Sequence, residues 1–91
     1  MPNKKPNESI TLTIKGRLGT VFDKQEVFAI TSKNLKGIFD VLPEHENFIS
    51  IVKDYIIVHK KRADKQEIKI ETGVIKVTDN NVNIFLSTHT D

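Results

Sequence analysis

Apolar and polar side chains alternate one for one in short stretches spread along this chain. Ile10, Leu12 and Ile14 alternate with Thr11, Thr13 and Lys15, Ile68 and Ile70 with Lys69 and Glu71, and Val82, Ile84 and Leu86 with Asn83 and, as an apolar exception, Phe85. A period of two sends every second side chain to the same side of an extended backbone, so each stretch reads as a strand with one buried face. Further extended pieces are expected at 20–22, 27–30, 38–42, 55–60 and 74–77. Turn residues punctuate them: Gly16 with Gly19, Asp23-Lys24, Arg62-Ala63-Asp64-Lys65 and Asp79-Asn80-Asn81. Strands at a spacing of about eight to twelve residues favour an all-β sandwich or flattened barrel. The expected fold is therefore all-β, with eight to ten short, mostly antiparallel strands and neither an internal repeat nor a βαβ rhythm.

Phe48, Ile51, Val52 and Tyr55 fall at helical spacing, and Pro43, Glu44 and Glu46 suit a helix start. Aromatic and β-branched types dominate 47–52, however, and these favour a strand, which is the reading taken here. Residues 31–36 are polar and are expected to form a connection. Gly73 is expected to mark a bulge or a tight corner.

The chain has 91 residues, enough for one domain. A body of this size buries only a little over roughly 60% of the surface it exposes unfolded, so its core is thin and a deep catalytic cavity is hard to build. Residues 1–9 hold two prolines, two asparagines and two lysines, with Met1 as their single apolar side chain. They are expected to be a disordered tail, with a β domain over 10–88 and a short tail at 89–91. There is no cysteine, so neither a disulfide nor a thiolate metal site supports the fold. No apolar run is long enough for a membrane helix, and direct membrane insertion is not expected. A net charge of +2 with 29% charged residues is an ordinary solvated surface and gives no reason to expect nucleic acid as partner. The cluster His59-Lys60-Lys61-Arg62 with Lys65 lacks interleaved aromatics for base stacking and reads as a charged hairpin tip.

Catalysis needs a reactive group and a partner that tunes it. His45, His59 and His89 fall on a turn, a strand end and a tail, without metal-site spacing. Ser9, Ser32, Ser50 and Ser87 lack a nucleophile elbow. Gly16 and Gly19 have no phosphate-loop lysine–hydroxyl pair after them, and Glu44 with Glu46 reads as a pair of solvent-facing turn acids. No enzyme activity and no cofactor are expected.

The stretch Gly37-Ile38-Phe39-Asp40-Val41-Leu42-Pro43-Glu44-His45 carries the most specific information. It resembles the Gly-x-Phe-Gly-x-Leu-Pro-x-His segment of the epsilon subunit of F-type rotary ATP synthases, with Gly37, Phe39, Leu42, Pro43 and His45 in register. Residues 48–52, 72–77 and 81–86 are similar to later strands of the same family, and the likeness runs over about 10–88. The resemblance implies a ten-stranded β-sandwich in the central stalk. Such a domain packs against the gamma subunit and the polar loops of the rotor ring, carries torque, and does no chemistry. It also implies a peripheral place on the cytoplasmic face of the plasma membrane, if the source is bacterial.

Three departures qualify that likeness. Asp40 stands where the family usually has glycine, which adds charge and restricts the backbone. Ile38 stands where an acidic residue often faces the rotor ring. An exposed isoleucine would turn that contact into apolar burial of about 1.5–3 kcal/mol if fully covered, while an isoleucine folded into the core edge is the other reading. The C-terminal helical hairpin of the family, which in some members binds ATP, is not in the sequence, so no nucleotide is expected. The candidate partner interface is Lys36, Gly37, Ile38, Asp40, Leu42, Pro43 and His45, with the polar loop 31–37. Pro43 would fix the chain direction, and His45 would hydrogen-bond across the turn or to a partner. The alternative function is an adaptor that takes a peptide as an added strand on a sheet edge, favoured by an edge with few lysines and no bulge.

Overall fold

The computed structural model describes residues 9–61 and 63–87. The predicted tails, His89 among them and Ser9 excepted, lie outside the described residues, as do Arg62 and Thr88. Seven strands follow one another among the described residues: β1 (Ile10–Gly16), β2 (Gly19–Val27), β3 (Ala29–Asn34), β4 (Gly37–Val41), β5 (Phe48–His59), β6 (Lys65–Thr78) and β7 (Asn81–Leu86). The described residues contain no helix long and apolar enough to cross a membrane.

The strand count falls below the eight to ten expected because pieces read as separate strands are continuous. Segments 47–52 and 55–60 both belong to β5, and 68–71 and 74–77 both belong to β6. Lys53 pairs with Thr72 but Tyr55 pairs with Lys69. Ile70 and Glu71 therefore stand together opposite Asp54, whose φ is 76°. A bulge of this kind bends a strand without ending it. Residues 31–34, expected in a connection, are strand instead. Ser32 is fully buried there and tolerated because its hydroxyl donates to the Tyr55 carbonyl at 2.7 Å.

Each bulge leaves a mark in the burial pattern. Before the bulge β6 turns Ile68 and Ile70 inward; after it, Gly73, Ile75 and Val77. The extra residue switches the inward positions from even to odd. The same happens in β2, where Phe22 and Val27 are both buried. Leu12 pairs with Gln25 and Ile14 with Phe22, leaving Asp23 and Lys24 opposite Thr13. The Lys24 main-chain N–H donates to Thr13 Oγ1 at 3.3 Å.

The strands form one sheet in the order β2-β1-β7-β6-β5-β3-β4. Only β1 and β7 run parallel. Phe22 of β2 and Val41 of β4, from opposite ends of that order, share one core with Leu12, Val52, Ile75 and Ile84. The sheet is thus folded over on itself into a sandwich, with principal extents of 44 × 26 × 23 Å. Burial of each such aliphatic side chain stabilises by about 1.5–3 kcal/mol.

Gly73 is neither bulge nor corner. It lies between Val52 and Leu86 in adjacent strands, and a Cβ there would stand 3.0 Å from the Phe85 carbonyl oxygen and 3.3 Å from Leu86 Cδ2. Glycine is required by the close approach of β7. The turn expected near 79–81 is a two-residue hairpin loop, closed by the Thr78–Asn81 pair, with Asp79 and Asn80 both at positive φ.

Candidate partner-binding face

The β3–β4 hairpin turns through Leu35 and Lys36, with Asn34 and Gly37 as the closing pair. The Lys36 main-chain N–H donates to Asn34 Oδ1 at 2.9 Å, and Gly37 has a φ of 127°, which glycine adopts without strain. The Asn34 side-chain amide donates to Ser50 Oγ at 3.3 Å, tying this tip to β5. Leu35 is left 90% exposed at the apex.

Beyond β4 the chain turns at Leu42–Pro43–Glu44–His45. The His45 main-chain N–H donates to the Leu42 carbonyl at 3.1 Å. Pro43 at the second place and Glu44 at the third, with φ 66°, are the arrangement of a type II turn. His45 Nδ1 lies 2.8 Å from the Glu46 carbonyl oxygen, which can only accept, so the ring carries its proton on Nδ1 and donates. The His45 ring stacks at a tilt on Phe48, 4.9 Å between centroids, and Phe48 meets Phe39 edge-on at 5.8 Å. His45 thus stands at the end of an aromatic row that roofs the core, bonded within its own turn.

The candidate residues do not form one cluster. Lys36 and Gly37 sit at the hairpin tip, Pro43 and His45 in the loop at the far end of β4. Between them Ile38 and Asp40 share one face of β4 at alternate positions, and Leu42, just past its end, continues the alternation. Ile38 is 69% exposed, so it lies outside the core edge. Asp40 is exposed and accepts a hydrogen bond from Thr31 Oγ1 at 2.5 Å, while His59 Nε2 lies 2.8 Å from the same hydroxyl. Thr31 has one proton to give, and the carboxylate only accepts. Thr31 therefore donates to Asp40, and His59 donates through Nε2–H.

Several exposed apolar residues escaped the sequence reading. Ile51, Val74 and Phe85 stand side by side across β5, β6 and β7. Ile51 is 64% and Ile49 65% exposed, and Phe85 is half-exposed. Ile49 and Ile51 line a shallow depression of about 360 Å³ with Leu35 and Lys36. The signal was present in β5: an antiparallel strand with one wet face alternates, whereas Phe48, Ile49, Ile51 and Val52 are apolar on both parities. Such a row of exposed apolar side chains is a candidate contact surface. Among the described residues no group of three or more histidines and carboxylates is placed to hold a metal ion.

Residues 9–90 match the family model for the beta-sandwich domain of the ATP synthase Delta/Epsilon chain. The chain belongs to this family. No curated protein matches it by sequence. Among solved structures it is similar to a chain of the Euglena gracilis mitochondrial ATP synthase, OSCP/F1/c-ring in rotational state 1. The TM-score is 0.83 at 23% identity, over 93% of this chain and 54% of that one. It is also similar to a chain of the central stalk/c-ring of the Tetrahymena thermophila mitochondrial ATP synthase. There the TM-score is 0.74 at 12% identity, over 92% of this chain and 66% of that one. At these identities the likeness is one of fold, and this chain spans between half and two thirds of the chains it matches.

Proposed function

We propose that this Delta/Epsilon-family chain is a non-catalytic subunit of the central stalk of a rotary ATP synthase, coupling a gamma subunit to the membrane rotor ring during ion-driven ATP synthesis. The observation that carries the reading is the apolar stripe of Leu35, Ile49, Ile51, Val74 and Phe85 on a domain of this family. A stiff sheet transmits torque if one face is gripped by a neighbour, and an outward row of apolar side chains is the surface such a grip would cover. Lys36, Gly37 and Ile38 extend that surface at the hairpin tip. Asp40, Leu42, Pro43 and His45 add a second stretch along and beyond β4. Their role is to hold shape and make contacts. The place of work is the cytoplasmic face of the plasma membrane in a bacterial source, as a peripheral member of the complex.

Affinity purification of the tagged chain from its own cells is the test. Gamma and the rotor ring should be recovered together with it, and the Ile49→Asp/Ile51→Asp double variant should lose gamma. A wild-type chain that never recovers gamma overturns the reading.

A further inference from the structure

We propose that the free edge of β4 is a strand-addition site for an extended partner segment carrying one basic residue between two apolar ones on the side that meets Ile38, Asp40 and Leu42. This deepens the stalk reading, which places Ile38, Asp40 and Leu42 on the partner surface, and it does not rest on the apolar stripe of Ile49, Ile51 and Phe85. The sheet ends in β2 on one side and β4 on the other. An end strand offers unpaired main-chain N–H and C=O groups, and proteins guard such edges with bulges, lysines or proline. The β2 edge is guarded. Its register with β1 shifts twice, and Lys24 sits at a φ of 51° within it. β4 has no lysine, no proline and an unbroken register with β3 from Gly37 to Val41. Of the two edges, only β4 is a regular template.

The side chains along this edge state what would fit. Ile38 is 69% and Leu42 50% exposed, with Asp40 between them on the same face. Asp40 borders a shallow depression of about 350 Å³ that Phe28, Thr31, Leu42 and His59 also line. Across an antiparallel pair, apolar side chains favour apolar neighbours and a carboxylate favours a cation, while like charges directly opposite are unfavourable. A second copy of this chain fits poorly by the same rule. Pairing β4 with β4 places Asp40 against either an apolar Ile38 or Leu42 or another Asp40. Pro43 ends the template on one side and the Gly37 turn on the other, so the added strand is about five residues long.

The probe is a synthetic peptide, Thr-Val-Thr-Lys-Thr-Val-Thr, titrated into the isotope-labelled chain and followed by amide NMR. Shifts and slowed amide exchange should concentrate on residues 37–42. A version with proline beside the lysine should not bind. Asp40→Asn should weaken binding by up to about fivefold, and Asp40→Lys should prefer a peptide with glutamate in place of the lysine. If Asp40→Lys fails to fold, Asp40→Asn and the glutamate peptide on the wild-type chain carry the comparison. Shifts centred on β2 or on Ile49 and Ile51, equal binding of the proline peptide, charge-blind binding, concentration-dependent self-association through β4, or no shift at millimolar peptide would each overturn the proposal.

Discussion

The side-chain oxygen of Asn80 accepts the main-chain N–H of Glu44 at 2.6 Å, joining two residues that both sit at a φ of 66°. The clamp is doubled nearby, where the Asp79 N–H donates to Asn47 Oδ1 at 3.0 Å. The Pro-Glu-His turn is therefore held by the β6–β7 hairpin loop, which lies far from it in sequence. Glu44 in the left-handed region is strained by about 1–2 kcal/mol relative to a relaxed backbone, and the Asn80 bond offsets part of that.

Two substitutions separate these contributions. Asn80→Gly removes the acceptor but relieves the positive φ, and should destabilise by about 1 kcal/mol, the net value of a hydrogen bond. Asn80→Ala also removes the acceptor but keeps a Cβ in the left-handed region without asparagine's tolerance of it, and should be about 1 kcal/mol less stable than the glycine variant. Urea unfolding measures both. Equal stabilities for the two variants would mean that the clamp and the backbone conformation are not linked as described.

Gly73 and Gly16 give a matched pair in the same layer. A Cβ at Gly73 would press on the Phe85 carbonyl at 3.0 Å, whereas at Gly16 its nearest neighbours, Gly19 O and Leu86 Cδ1, stand at 3.8 Å. Gly73→Ala should destabilise by about 1–3 kcal/mol, as overpacking does, and Gly16→Ala should stay within about 0.5 kcal/mol of the parent. A Gly73→Ala variant with unchanged urea midpoint would show that β7 yields without penalty.

Much of this was legible in the chain and some was not, for reasons that particular residues make plain. The alternation around Leu12, Ile70 and Ile84 gave the all-β class, and Asp79-Asn80 gave a hairpin turn, because both are local signals. Strand continuity through Asp54 was hidden. A charged residue between two apolar runs looks like a turn until pairing shows that Ile70 and Glu71 absorb the mismatch. The parity change from Ile70 to Ile75 was the available clue. Residues 31–34 looked like a loop because Thr31 and Ser32 are polar, and only their cross-strand partners, His59 and the Tyr55 carbonyl, explain why a strand accepts them. The candidate site was half legible: β4 stood out by motif, while Ile49 and Ile51 entered only as residues of a strand, without a place in the candidate interface.

The Thr31 hydroxyl fixes the tautomer of His59. If Thr31 donates to Asp40, His59 must present Nε2–H. Ring nitrogen shifts in a labelled sample should therefore report the proton on Nε2 whenever the imidazole is neutral. Thr31→Val, which keeps the shape and removes the hydroxyl, should release that preference toward a mixture of tautomers. A neutral His59 protonated on Nδ1 in the parent protein would break the proposed direction of the chain of bonds.

Stability and partner binding should separate cleanly between the two faces of the sandwich. Ile75 is fully buried and Ile51 is 64% exposed. Ile75→Ala removes core volume and should destabilise by about 2–5 kcal/mol. Ile51→Ser removes a side chain that already faces solvent in the isolated chain, and should shift stability by no more than about 0.5 kcal/mol. In the assembled complex the order reverses for the contact itself: Ile51 would be covered, and its loss would forfeit about 1.5–3 kcal/mol of burial, a drop of tenfold or more in affinity for gamma. Urea denaturation of the isolated variants, set beside gamma recovered per folded chain, makes the comparison. An Ile51→Ser chain that is as stable as the parent and recovers as much gamma would remove this stripe from the interface.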